Sequence, residues 1–265
     1  MKYNIIASIF VFLFLNACNP DFNTNQKDIK HKSKELKSNK KKLKPKTAAI
    51  LNQEKKPNQE EGPNERTKNT LLYDLINLIE TANLDREKYV KKMEEEPSDQ
   101  YGMLVFKQLG WGSSPGEMVS DNSERSIRYR RRVYDILSTI DTNKLKAFSK
   151  MIILSGQIQG LLNILNLFGG TLDDVIIRLS SKKDTLYTLA TSSLEKLKNS
   201  FEKLLSIKKI VSKMLHQLLL DYQNNKSLIK TNRINLESHA NTLVNQIVEK
   251  NKEAEKLKNN IFSIH

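Results

Sequence analysis

The sequence predicts an all-α fold: a bundle of about five to seven helices with a long C-terminal helix, preceded by a disordered, lipid-anchored tether. Three observations predict the bundle. No proline follows Pro115 and no glycine follows Gly170, so the strongest helix breakers are missing from the C-terminal part. Alternating β-branched runs with paired turn signals are absent. Apolar residues recur every three or four positions through roughly the last ninety residues, the period of a buried helix face. The chain divides into a leader (1–17), an acylated cysteine and tether (18–63), and a helical domain (64–265) long enough to bury its own core.

Met1-Lys2 begins the leader with a positive charge, and an apolar run follows from Ile5 to Leu15. A spanning helix needs about 20 apolar residues, so this run has the size of a secretory h-region instead. It ends at Leu15-Asn16-Ala17-Cys18, which carries the only cysteine in the chain. The tetrapeptide resembles a bacterial lipobox, with Leu15 three before and small Ala17 one before the cysteine. The resemblance implies cleavage after Ala17, diacylglycerol on the Cys18 thiol and acylation of the new amine. Two acyl chains suffice for stable membrane attachment and one does not. The expected attachment is to a membrane through this lipid alone.

Residues 19–63 are rich in Lys, Asn, Gln and Pro and poor in bulky apolar side chains. Such a composition buries too little surface to offset chain entropy. Twelve lysines against six acids give this stretch +6 of the chain's +14. As coil it would have an r.m.s. span of roughly 40 Å, lifting the domain clear of the lipid. The "KSKELKSNKKKLKPK" run reads either as a contact for anionic lipid or polysaccharide or as a solvated spacer. Nucleic acid is not an expected partner, because the leader exports the chain.

Helical segments follow in order. Leu71, Leu72, Leu75, Ile76, Ile79 and Ala82 share one face of 64–83. Asp85 is placed to cap a second helix carrying Tyr89, Val90 and Met93, bounded by Pro97. "GWGSSPG" (110–116) is a loop. "SDNSERS" then supplies capping residues for a helix running through Ile127, Val133, Tyr134, Leu137 and Ile140. Asp141 is placed to cap the next helix, through Leu145, Phe148 and Ile152 toward Phe168, with Gly156 and Gly160 as kink points. Gly169-Gly170 is expected to stop it, and Thr171 to cap "LDDVIIRL". "LLNILNLF" (161–168) is the most apolar run of this region and is too short to span a bilayer.

The last two helices are the most regular. Ala190, Leu194, Leu197, Phe201, Leu204, Lys208, Val211, Leu215, Leu218 and Tyr222 follow a three–four spacing, interrupted by one lysine. Leu205, Ile207, Ile210, Met214 and Leu219 widen that stripe, which favours core over a narrow seam. After the turn signal "QNNKS", Leu236, Leu243, Ile247 and Leu257 lie on a narrower stripe. Two readings stand there: packing within the domain, or a homodimer seam through the C-terminal helix.

Chemistry-bearing clusters do not assemble in the sequence. The four histidines (31, 216, 239, 265) lie in separate segments without metal-ligand spacing. No metal, cofactor or enzymatic activity is expected. Asp173-Asp174 and Glu94-Glu95-Glu96 read as helix-start or surface acids. "RSIRYRRR" (125–132) is the densest charge cluster of the folded part. Arg125, Arg128, Arg131 and Arg132 are candidate contacts for a polyanion or protein partner, since guanidinium groups bind carboxylate and sulfate bidentately. The competing reading is a solvated helix face, with Glu124–Arg128 and Arg132–Asp135 as intrahelical pairs.

The assembly of lipobox, Lys/Asn-rich tether and helical domain resembles the borrelial surface lipoprotein family that includes complement regulator-acquiring surface protein 1. "FKQLGWGSSPGEMVSDNSERSIRYRRRVYDILSTIDTNKLKAFSKMI" carries the likeness: a Phe-containing helix end, a loop, a basic helix with a tyrosine, an Asp-started turn and a Leu/Lys helix. The resemblance implies a compact bundle, lipid-anchored to the outer membrane and exposed at the cell surface. The best-known member dimerises through its C-terminal helix and binds factor H; most paralogues share the fold and not that binding. The "GWGSSPGEMVS" loop is longer than expected for the factor H binder. The expected function is surface binding of a host or vector macromolecule, such as a serum or matrix protein, in complement or immune evasion. The alternative is a structural, periplasm-facing envelope lipoprotein acting through helix–helix contacts.

Overall fold

Six α-helices follow one another in a computed structural model that describes residues 63–112 and 116–264: α1 Pro63–Glu94, α2 Glu124–Ile136, α3 Leu145–Leu154, α4 Ile158–Lys182, α5 Thr191–Gln223 and α6 Arg233–Ile264. No strand occurs among the described residues. The leader, Leu15, Ala17, Cys18 and the tether lie outside the described residues.

The two long C-terminal helices behave as their spacing predicts. Helices α5 and α6, 33 and 32 residues long and so about 50 Å each, pack along one another as a hairpin. Leu194, Leu197, Phe201, Leu204, Val211 and Leu215 are fully buried. Lys208, the charged exception in the stripe, donates to Asp135 of α2 at 2.5 Å. The turn between the two helices uses positive φ at Asn225, Ser227 and Leu228, where the "QNNKS" signal placed it. Leu236, Leu243, Ile247 and Leu257 are buried at 2, 7, 0 and 8% exposure within the chain itself. They pack against α5 and α4, so of the two readings of this stripe the domain's own core takes these side chains.

Three boundaries differ from the sequence expectation. Helix α1 runs unbroken through Leu84 and Asp85; Asp85 pairs with Lys88 instead of capping. The expected helix from Asp141 to Phe168 divides at Gly156, which sits at φ +71° between α3 and α4. Asp141 instead precedes a 3-10 turn and makes no cap bond.

Gly169-Gly170 does not stop a helix, because α4 continues to Lys182. A Cβ on Gly169 would stand 2.7 Å from the Arg132 Cβ and 3.1 Å from its carbonyl oxygen. The glycine pair is therefore a close crossing of α2 and α4, not a C-cap. Thr171, expected as a cap, is buried in mid-helix and bonds Leu167 O and Glu255. Without the break, Ile158–Thr188 is long and apolar enough to cross a membrane by length and composition, which corrects the eight-residue reading. It is a core helix: 61% of its most apolar window is buried in the protein, between α2 and α6.

Between α1 and α2, Gln100–Gly102 and Leu104–Gln108 form two 3-10 turns, and Met103, Val105 and Phe106 are fully buried. Gly102 (φ +78°) passes so close to α3 that a Cβ would lie 2.7 Å from the Lys146 Cβ. Across the described flanks of the "GWGSSPG" loop, Trp111 N donates to Glu117 O and Val119 N to Leu109 O. Trp111 Nε1 donates to Ser126 Oγ on α2 at 2.9 Å, and Ser123 caps that helix as the sequence indicates.

Candidate functional site

Helix α2 distributes its arginines by period. Arg130 and Tyr134, four residues apart, share one face. Glu124, Ile127, Arg128, Arg131 and Arg132 follow the i, i+3, i+4, i+7, i+8 spacing of another. Each face builds a charged centre.

The first centre is closed. The Arg130 side chain is 1% exposed and forks onto Glu96, 6% exposed, at 2.7 and 2.9 Å. Its remaining nitrogen donates to Val119 O and Asp121 O, both at 2.7 Å. The Tyr134 hydroxyl lies 2.7 Å from Glu96 and 3.0 Å from Gln100 O. Burial, then the Glu96 charge, pushes the Tyr134 hydroxyl well above the usual tyrosine range. Glu96, read from sequence as a surface acid, is thus the buried anchor that fastens the segment 97–121 to α2.

The second centre gathers on Asp173 of α4. Its side chain is 6% exposed and accepts from Arg86 Nε at 3.2 Å, from Arg132 Nε at 3.0 Å, and from Arg131 Nη2. Burial opposes its charge, but hydrogen bonds and charge from Arg131 and then Arg132 prevail, holding the carboxyl below its ordinary range. Asp173 is therefore neither a helix-start nor a surface acid. The expected Arg132–Asp135 pair is absent, because Arg132 turns to Asp173 and Asp135 to Lys208.

Above this hub lies a groove of about 560 Å³ between α1, α2 and α4. Helix α1 supplies Arg86, Val90 and Met93, again at helical spacing, and α4 supplies Asp173, Asp174 and Ile177. Ile127 and Ile177 are 37 and 47% exposed. Ile127, expected in the core, instead forms part of the groove wall.

Of the four candidate arginines, the structure brings Arg128, Arg131 and Arg132 to this groove. Arg125 turns to the loop, donating to Glu117 at 2.8 Å and stacking 4.7 Å from the Trp111 ring centroid. Arg128 pairs with Glu124 as the spacing predicts. Arg131 is buried rather than part of a solvated face. Sequence reading missed Arg86 and Asp173 as partners, since 87 positions separate them. The unused signal is the matching helical spacing of Arg86, Val90 and Met93.

Comparison with known proteins gives consistent results. The family model described as Borrelia Bbcrasp-1 domain containing protein matches residues 91–265. The crystal structure of BSE31 from Borrelia spielmanii shares 52% identity, covers 75% of this chain and 100% of its own, and superposes with a TM-score of 0.73. BSA64 of the same organism, an orthologue of Borrelia burgdorferi BBA64, shares 18% identity at TM-score 0.64, covering 75% of this chain and 96% of its own. The Lyme disease associated outer surface protein BBA65 of Borrelia burgdorferi shares 17% at TM-score 0.59, covering 71 and 98%. The last two likenesses are of fold. No curated protein matches the chain.

Proposed function

Because the chain belongs to the family of Borrelia Bbcrasp-1 domain-containing proteins, we propose that it is a lipid-anchored outer-surface protein. It works by binding a host or vector macromolecule rather than by catalysis. Family membership is the observation that carries this reading; several structural relatives are named outer surface proteins. The Leu15–Cys18 motif supports the anchor, with fatty chains on Cys18 mooring the domain and the basic tether giving it reach. A complement regulator of the factor H type is a candidate ligand through the family resemblance alone, since most paralogues do not share that binding.

The test has two stages. Growth with labelled palmitate should label the wild-type chain and leave Cys18→Ala unlabelled. Protease added to intact cells should then remove the domain. Protection from protease would instead favour a structural lipoprotein facing the periplasm. Factor H retained from serum by the chain would support the complement reading, and its absence would count against it.

A further inference from the structure

The turn between α5 and α6 is strained, clamped and outwardly apolar. Asn225, Ser227 and Leu228 stand at φ +50°, +54° and +60°, a backbone region that disfavours a bulky side chain. Hydrogen bonds hold the turn there. Asn225 Oδ1 accepts from Lys230 N at 2.9 Å and from Thr231 N at 3.3 Å, and Asn235 Nδ2 donates to Ser227 O at 3.0 Å. Ile229 is buried, but its neighbour Leu228 is 58% exposed. Ile234, next to the Asn235 clamp, is 77% exposed, more than any other large apolar side chain among the described residues. Strain that presents an apolar side chain to water adds nothing to the fold and marks a place to look for function.

The same turn is basic. Between Tyr222 and Leu236 there are three basic residues and no acid. Lys226 is engaged by Asp221 at 3.5 Å. Lys230 and Arg233 are exposed and make no ion pair among the described residues; the next acid, Glu237, lies one turn up α6. The turn packs chiefly on its own two helices, so it forms a projecting tip and not a groove. We propose that this tip docks on an anionic phospholipid bilayer. Leu228 and Ile234 enter the boundary between headgroups and acyl chains, and Lys230 and Arg233 meet lipid phosphates. Other occupants fit less well. A sulfated polysaccharide would satisfy the cations and leave both apolar side chains in water. A second copy would bring the same cations against them. Residues 19–63, with twelve lysines against six acids, are repelled in the same way. A protein partner would need a hollow matched to the tip, whereas a fluid bilayer conforms to it. This surface goes beyond the reading of the chain as an outer-surface binding protein.

The test uses the purified full chain, labelled at its Ile and Leu methyl groups, and small phosphatidylcholine–phosphatidylglycerol bicelles carrying a paramagnetic lipid. The lysines of 19–63 can bring the chain to such bicelles by themselves, so the readout is resolved by site. The methyl signals of Leu228 and Ile234 should broaden, while those of Leu167 and Ile177, exposed elsewhere, should not. Lys230→Gln with Arg233→Gln should weaken the broadening at the tip about tenfold. Leu228→Gly suits the positive φ, so it should keep or raise the melting temperature and still reduce the broadening of Ile234 severalfold. Equal broadening at all four sites, none at the tip, or tip signals that respond as strongly to dextran sulfate or hexa-aspartate as to bicelles would overturn the assignment. A lower melting temperature for Leu228→Gly would give Leu228 a packing role and overturn it too. None of these outcomes changes palmitate labelling or protease sensitivity, so failure here is distinguishable from failure of the surface-protein reading.

Discussion

Helix α2 carries two arginine centres one residue apart, and they are built to opposite ends. Around Arg130, one guanidinium meets one carboxylate, two carbonyl oxygens and a tyrosine hydroxyl beside that carboxylate, and the centre is sealed. Around Asp173, one carboxylate accepts from three guanidinium groups, of which Arg86 also reaches Glu87, and one buried nitrogen of Arg131 has no acceptor among the described residues. A saturated buried ion pair fixes geometry, because removing either partner strands a charge. An unsaturated one leaves a buried donor without that support. The comparison teaches that arginine density alone does not mark a contact surface, because neighbouring arginines of one helix enter differently saturated buried centres.

The largest expected effect breaks the sealed centre. Glu96→Gln leaves Arg130 charged and buried, and should cost about 3–5 kcal/mol in chemical unfolding. Hydrogen exchange should rise through residues 97–121 and stay unchanged in α6. If the cost were that of an exposed pair, under about 1 kcal/mol, the two centres would not differ as described.

Next comes the crossing that holds the second centre together. Gly169→Ala drives a Cβ into the Arg132 backbone and should destabilise by about 1–3 kcal/mol. That corresponds to roughly 2–4 °C of melting temperature per kcal/mol for a domain of this size. Arg132 should move with it and disturb the Asp173 hub.

These two sites show what a sequence discloses. The α5 and α6 stripes were legible because each side chain's burial follows from its own helix's period, down to Leu236, Leu243, Ile247 and Leu257. Lys208 looked like a flaw in the stripe, since its partner Asp135 is on another helix. Gly169-Gly170 was misread because a glycine pair looks the same whether it ends a helix or admits a neighbouring backbone. The arginine run was visible, but its division between Glu96 and Asp173 depends on partners from α1 and α4 that only tertiary packing brings near. Leu15, Ala17, Cys18 and the tether fall outside the described residues.

A smaller effect should appear in acid. The folded-state pKa of Asp173 is lowered, so its stabilisation is in place above the unfolded range, about pH 4. It is lost as pH falls through the folded value. Asp135 runs the other way: burial outweighs Lys208 and raises its pKa, so its favourable contribution is lost as pH rises through that value. Asp173→Asn should therefore flatten the loss of melting temperature below about pH 4. An unchanged acid limb would place that loss elsewhere. The smallest expected change is Ile177→Glu, within about 0.5 kcal/mol of wild-type stability, because the side chain packs little within the domain.

Side-chain ¹⁵N NMR of the arginine guanidinium groups tests the contrast most directly. Arg130 should show slow exchange with water at every nitrogen. Arg131 should show a protected Nη2 and a faster-exchanging Nη1. Equal protection at both residues would contradict the division of α2 into a saturated centre and an unsaturated one.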